Sequence, residues 1–188
     1  MSTLTLLHSS CADIKVDAVV NAANRYLRAG GGICGVIFAK AGRIQLTAAC
    51  EKYEVPLPDG SAVITPAFNM SNASHIIHAV GPDFNETPQA QDKLFDAYYN
   101  SLVVLVEKGL KSISFPLISS GIFGGLQKNP AAESTKQCIC AYNKFIEDHP
   151  DVFVEVTLCA YSESEMESAQ KVYDKMMGKK TAPKLFSR

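Results

Sequence analysis

The sequence predicts an α/β layered domain on a mixed, largely parallel sheet, and three observations carry that reading. Short apolar or β-branched runs alternate with helix-period patterns along the chain. Glycine and proline punctuate the junctions, and no internal repeat, low-complexity tract or linker breaks the series. With 188 residues, 47% of them apolar, the chain can bury a core without disulfides or metals.

The elements follow in order. Thr3 to Leu7 reads as a short strand. Asp17 to Asn21 is a nearly continuous apolar run, as expected of a strand covered on both faces. A polar stretch and Gly30, Gly31 and Gly32 then lead into a buried helix, Ile33 to Ala41, ended by Gly42. A second helix spans Ile44 to Lys52. Pro56, Pro58, Asp59 and Gly60 mark a loop, and Ala62 to Thr65 a strand. His75 to Val80 is the next strand, stopped by Gly81-Pro82. From about residue 89 to 108, Leu94, Ala97, Tyr98, Leu102 and Leu105 recur at helical spacing, with Gly109 as the cap. Ser112 to Pro116 is a strand, and Pro130 sits in the first turn of a helix whose inward stripe is Cys138, Ala141, Tyr142 and Phe145. The β-branched run Val152 to Ala160 predicts a central strand. Ser162 with Glu165 forms a capping box for a last helix burying Met166, Ala169, Tyr173 and Met176. Residues 1–178 make the domain, and residues 179–188 a frayed tail.

Composition removes several classes of function. A formal net charge of −1 provides no overall basic field for nucleic acid or an anionic membrane. Met1 to Thr5 carries no basic segment followed by an apolar one, and no run approaches the roughly 18 residues that cross a bilayer. Six cysteines without a CxxC pair are expected as reduced thiols of a cytoplasmic protein. Zinc is not expected, because Cys138 and Cys140 are too close for knuckle spacing and no histidine follows at a suitable interval. His75 and His78 lie three apart on a strand and so face opposite ways, which argues against a shared metal. Asp83 reads as a solvated loop residue. Cys34 has no neighbouring histidine to make it a nucleophile.

Two loops carry the chemistry, and both follow strands, at the sheet edge where ligands of open α/β folds bind. The first runs from Asn21-Ala22-Ala23-Asn24 to Gly30-Gly31-Gly32-Ile33-Cys34-Gly35. Its glycines admit close backbone approach, and the helix start behind them offers free N–H groups and a positive dipole end, a setting for phosphate. The amides of Asn21 and Asn24 suit ribose hydroxyls. The second loop, Ser119-Ser120-Gly121-Ile122-Phe123-Gly124-Gly125, offers a run of main-chain N–H groups as an anion nest, with Phe123 as a flat cover for a sugar. Two such loops together indicate a diphosphate. A Walker A loop is excluded, since no Gly-Lys-Ser/Thr follows, and the G-x-G-x-x-G order is absent.

VVNAAN, GGGICG, HAVGP and FPLISSGIFGG, in that order and spacing over residues 4 to 177, resemble the macro domain family, closest to its MacroD-type and viral members. The resemblance implies a three-layer α/β/α macro domain fold. It implies binding of ADP-ribose and hydrolysis of mono-ADP-ribosyl esters on proteins, with O-acetyl-ADP-ribose as a further substrate; the alternative is a reader module that binds without cleaving. Ser10, Cys11, Ala22, Asn24, Gly30, Gly31, Gly32, Ile33, Cys34, Ser119, Ser120, Gly121, Ile122, Phe123 and Tyr161 would then line the ligand. Asn24, Gly32 and Phe123 would stand at the reacting ribose and Tyr161 against adenine. Cys34 stands where MacroD-type members carry an acid, as alanine does in several viral hydrolases, and Ala29 where viral members often carry histidine. The adenine-reading aspartate of the family falls at Ser10 in an ungapped count, or at Asp13 if the connection is shortened. No cofactor, metal or membrane is implied, nucleic acid ranks last among partners, and a monomer is expected.

Overall fold

The structure, a computed structural model, describes residues 1–178. Six strands form one sheet: β1 (Thr3–His8), β2 (Ala18–Ala23), β3 (Ala62–Pro66), β4 (His75–Val80), β5 (Ser112–Phe115) and β6 (Glu155–Ala160), in the spatial order β1-β6-β5-β2-β4-β3. Every neighbouring pair is parallel except β3 with β4. The helices are α1 (Gly32–Ala41), α2 (Arg43–Cys50), α3 (Gln91–Glu107), α4 (Pro130–Asp148) and α5 (Glu163–Met177).

Alternation along the inner strands divides the apolar residues between two faces. Ala18 and Val20 of β2, with Ile77 and Ala79 of β4, join a core built with Leu94, Leu102, Cys138, Phe145 and Ala169 of α3, α4 and α5. Val19 and Ala23, with Ile76 and Val80, join a second core with Ile37, Phe38 and Leu46 of α1 and α2. This is the three-layer α/β/α arrangement. Each large buried ring matters: truncating Phe38 or Phe145 to alanine costs about 3–5 kcal/mol by the usual cavity effect. The caps follow the sequence pattern. The Asn129 side chain accepts from Ala132 N with Pro130 in the first turn, and Ser162 and Glu165 form a reciprocal capping box. No single described helix is long and apolar enough to cross a membrane.

Three expectations are corrected. β6 begins at Glu155 rather than Val152, because Val152 N is taken by His149 O in the turn that leaves α4; the strand is interior, between β1 and β5. β2 runs on to Ala23, so three residues of the first motif belong to the strand, where Asn21, Ala22 and Ala23 pair with His78, Ala79 and Val80. Met176 is exposed, since α5 buries Ala169 and packs Val172, Tyr173 and Met177 inward, and Met176 borders a hollow of about 1030 Å³ also lined by Leu126, Ala132 and Val172. The tail at residues 179–188 lies outside the described residues.

Candidate functional site

Because β1, β6, β5, β2 and β4 are mutually parallel, the loops after them emerge on one edge, in that order. The edge therefore presents, in sequence, Ser10-Cys11, Tyr161, the second glycine loop, the first glycine loop and the Gly81–Glu86 turn. Four strand intervals of ~4.8 Å give a row ~19 Å long. Antiparallel β3 starts from this edge, and the loop that enters it closes the row, with Gly60 N donating to Val80 O and Leu57 N to Arg25 O.

In the first loop, Asn24 is a local organiser. Its Oδ1 accepts from Tyr26 N and Arg28 N, both at 3.1 Å, and its Nδ2 donates to Arg28 O at 2.8 Å. Both acceptor positions are filled, so one Nδ2 hydrogen is left for a ligand. Arg25 locks the segment from outside, its Nε and second guanidinium nitrogen meeting Asp59 at 2.9 and 3.1 Å and the latter nitrogen also meeting Glu86 at 3.0 Å. Gly32 has φ +57, a conformation that L residues rarely adopt. Gly31 has an ordinary φ of −83, and a Cβ built there meets nothing within 4 Å. The fold itself therefore does not require glycine at 31. The main-chain N–H groups of Gly31, Gly32, Ile33 and Cys34 find no protein acceptor among the described residues. They point from the positive end of α1.

The second loop is built the same way on a firmer root. Tyr98, from α3, accepts from Ile118 N at 3.0 Å and lies 2.6 Å from Ser134 Oγ of α4, which donates to Ile118 O at 2.6 Å. Ser119 is held at φ +57 by its hydroxyl, which donates to Pro82 O at 2.7 Å. Gly125 approaches the Phe84 backbone so closely that a Cβ would lie 2.7 Å from the Phe84 carbonyl carbon. Ile122 O and Phe123 O accept from Asn85 Nδ2 and Phe84 N at 2.7 and 2.9 Å. With two carbonyls turned inward, the N–H groups of Ser120, Gly121, Ile122 and Phe123 keep no protein acceptor among the described residues. The result is an anion nest at the end of β5, the strand paired with β2.

At the far end, Tyr161 is 76% exposed, so it is an available aromatic face and not a core residue. Ser10 Oγ accepts from Ala12 N, capping the 3-10 turn Cys11–Asp13, and Cys11 is buried with its thiol on Val20 O. Asp13 is paired with Lys40 at 2.7 Å.

One sequence expectation changes. Asn21 is 1% exposed and faces α1 and α2, its Nδ2 at 3.1 Å from His78 Nδ1, so it does not reach a ribose. His78, also 3.0 Å from Thr65 Oγ1, is pushed down to about 4 by burial and is neutral. Asp83 accepts from Asn85 and serves the turn. Cys34 is buried with its thiol 3.6 Å from Arg28 O, packing the first loop. Among the described residues no group of three His, Cys, Asp or Glu converges as a metal site. The Tyr98–Ser134 root and the Arg25–Asp59–Glu86 clamp leave no signal in the sequence. Tyr98 carries the same spacing signal as its core neighbours, and nothing in sequence pairs positions 25 and 59. The 1030 Å³ hollow lies on the α4–α5 flank and is lined by none of the glycine-loop residues named above.

The profile of the family described as Macro domain matches residues 20–135, which span both loops. The chain belongs to the macro domain family. As a macro domain it is 38% identical over 152 residues to an O-acetyl-ADP-ribose deacetylase of Escherichia fergusonii, covering 79% of this chain and 82% of that protein. It is 34% identical over 164 residues to the ADP-ribose glycohydrolase MACROD1 of Rattus norvegicus, covering 86% of this chain and 61% of that one. A variant of the Oceanobacillus iheyensis macrodomain solved with ADPR superposes with a TM-score of 0.81 at 31% identity, covering 95% of both chains.

Proposed function

We propose that the sheet edge carrying the two glycine loops binds ADP-ribose and that the protein hydrolyses mono-ADP-ribosyl esters on proteins, with O-acetyl-ADP-ribose as a second substrate. The observation that carries this reading is the pair of unsatisfied amide runs, Gly31–Cys34 and Ser120–Phe123, at the ends of adjacent parallel strands. Backbone donors in that number hold a diphosphate without any cationic side chain. The macro domain relatives named for acting on O-acetyl-ADP-ribose and ADP-ribose support the same ligand.

With the diphosphate on the two loops, the row order sets the rest. Tyr161, Ser10 and Cys11 lie toward adenine, and Ala22, Asn24, Gly32 and Phe123 toward the second ribose. Asn24 gives its remaining Nδ2 hydrogen to a ribose hydroxyl, Gly32 leaves room for the anomeric carbon, and Phe123 covers the sugar. A water attacks that carbon. The bond to the acyl oxygen breaks, the carboxylate departs, and the water's proton passes to a phosphate oxygen. The protein contributes positioning and preorganised dipoles rather than a covalent intermediate.

A non-cleaving reader is the second reading, favoured by Cys34, whose thiol is committed to Arg28 O where a carboxylate would assist. Calorimetric titration with ADP-ribose tests binding, and loss of label from a mono-ADP-ribosylated protein tests turnover. Binding with the label retained selects the reader; no binding overturns both.

A further inference from the structure

Beyond Asn24 the first loop carries two arginines whose side chains differ in their commitments. Arg25 is neutralised by Asp59 and Glu86. Arg28 meets no carboxylate among the described residues; its guanidinium carbon stands 5.2 Å from the centroid of the Tyr26 ring, and both residues are exposed. The main chain of Arg28 is fixed, since its N–H and carbonyl both bond to the Asn24 side chain, so the arginine side chain springs from a fixed point next to Asn24 and rests on Tyr26. Stacking on an aromatic face orients the fork and leaves its edge donors outward, the geometry that takes a carboxylate in a bidentate manner.

We propose that Arg28, braced on Tyr26, reads a carboxylate flanking the modified residue, so that the site prefers ADP-ribosyl esters set in acidic protein segments. This rests on the hydrolase reading above. The diphosphate is already served by main-chain amides, whereas Arg28 lies on the loop after β2 that also carries Asn24, the residue the functional reading puts at the reacting ribose. An acidic peptide fits better than a nucleic acid. One free guanidinium on a chain of net charge −1 can take one carboxylate but does not make a track for successive phosphates. Replacing the side chain leaves the loop's backbone bonds in place, which makes the residue testable.

Two peptides carrying one ADP-ribosyl ester each, in acidic or neutral flanks, are compared with the wild type, Arg28→Ala, Arg28→Lys and Tyr26→Ala. The wild type is expected to favour the acidic peptide by about fivefold in kcat/KM, mostly through KM, as a surface ion pair allows. The preference fades near 0.5 M salt, where the screening length is ~4 Å. It disappears in Arg28→Ala, returns in part in Arg28→Lys and weakens in Tyr26→Ala. A preference unchanged in Arg28→Ala overturns the proposal, as does a selective loss in that variant of activity on an ADP-ribosylated oligonucleotide. If the wild type binds ADP-ribose and cleaves both peptides alike, only this inference fails; if it binds no ADP-ribose, the functional reading beneath it fails.

Discussion

The phenol oxygen of Tyr98 stands 2.6 Å from the hydroxyl of Ser134, joining α3 to α4 beneath the second glycine loop. The Ser134 proton goes to Ile118 O, so Tyr98 donates to Ser134 while accepting from Ile118 N. Tyr98→Phe leaves that buried amide without a partner and is expected to destabilise the fold by about 1–3 kcal/mol. Because Ile118 is the root of the nest, ADP-ribose affinity should fall as well, measured by calorimetry well below the melting temperature. Unchanged affinity would mean the loop holds its shape without this root.

Gly31 and Gly32 separate folding from binding. At Gly31 the backbone is ordinary and a Cβ meets only open space, so Gly31→Ala should shift stability by less than about 0.5 kcal/mol. Gly31→Ala should still lower ADP-ribose affinity at least ~tenfold, a loss of about 1.4 kcal/mol, and Gly31→Glu should abolish binding and turnover. Gly32→Ala must place a side chain at positive φ and should cost about 1–2 kcal/mol besides. Chemical denaturation and titration of the three variants check this ordering.

His78 makes stability depend on pH. It titrates near 4 when folded against 6.5 for an unperturbed imidazole, so between those values the unfolded chain binds a proton that the folded chain refuses. Its contribution is complete above about pH 6.5 and is lost as pH falls toward 4, at up to about 1.4 kcal/mol per unit, or about 3 kcal/mol in all. In urea melts, His78→Gln should be less stable near neutrality and should lack this part of the slope. A variant with the wild-type slope would assign the effect to other groups.

Tyr161 is exposed and its ring supports no core, so Tyr161→Ala should leave the melting temperature within about 1–2 °C while weakening nucleotide binding. A stacked ring contributes ~1 kcal/mol, equivalent to about fivefold in affinity. Equal binding of ADP-ribose to both proteins would remove Tyr161 from the site.

The elements that one period governs were legible in the sequence. Leu94, Ala97, Tyr98, Leu102 and Leu105 repeat at helical spacing and all are buried in α3. The two glycine loops were legible because strand ends and phosphate-binding turns share a local composition. What was hidden depends on partners distant in sequence. Asn21 reads as a ligand contact because its short amide suits a ribose hydroxyl; its partner is His78, on another strand. The pairing of β1 with β6 joins residues about 150 positions apart and leaves no periodic trace. The resemblance gives Asn24 to the ribose, and three of its four hydrogen-bonding capacities, invisible in sequence, hold the loop itself.

The way the Phe84–Asn85 segment captures Ile122 O and Phe123 O decides which form of the nucleotide is welcome. With those oxygens drawn away, the nest turns hydrogens outward and neither oxygen is left to ligate a divalent ion. A diphosphate chelated by magnesium has fewer free oxygens to offer and must shed its metal before it seats. Apparent affinity for ADP-ribose should therefore decline as free magnesium rises, and titrations run with a chelator and with excess magnesium would reveal the difference.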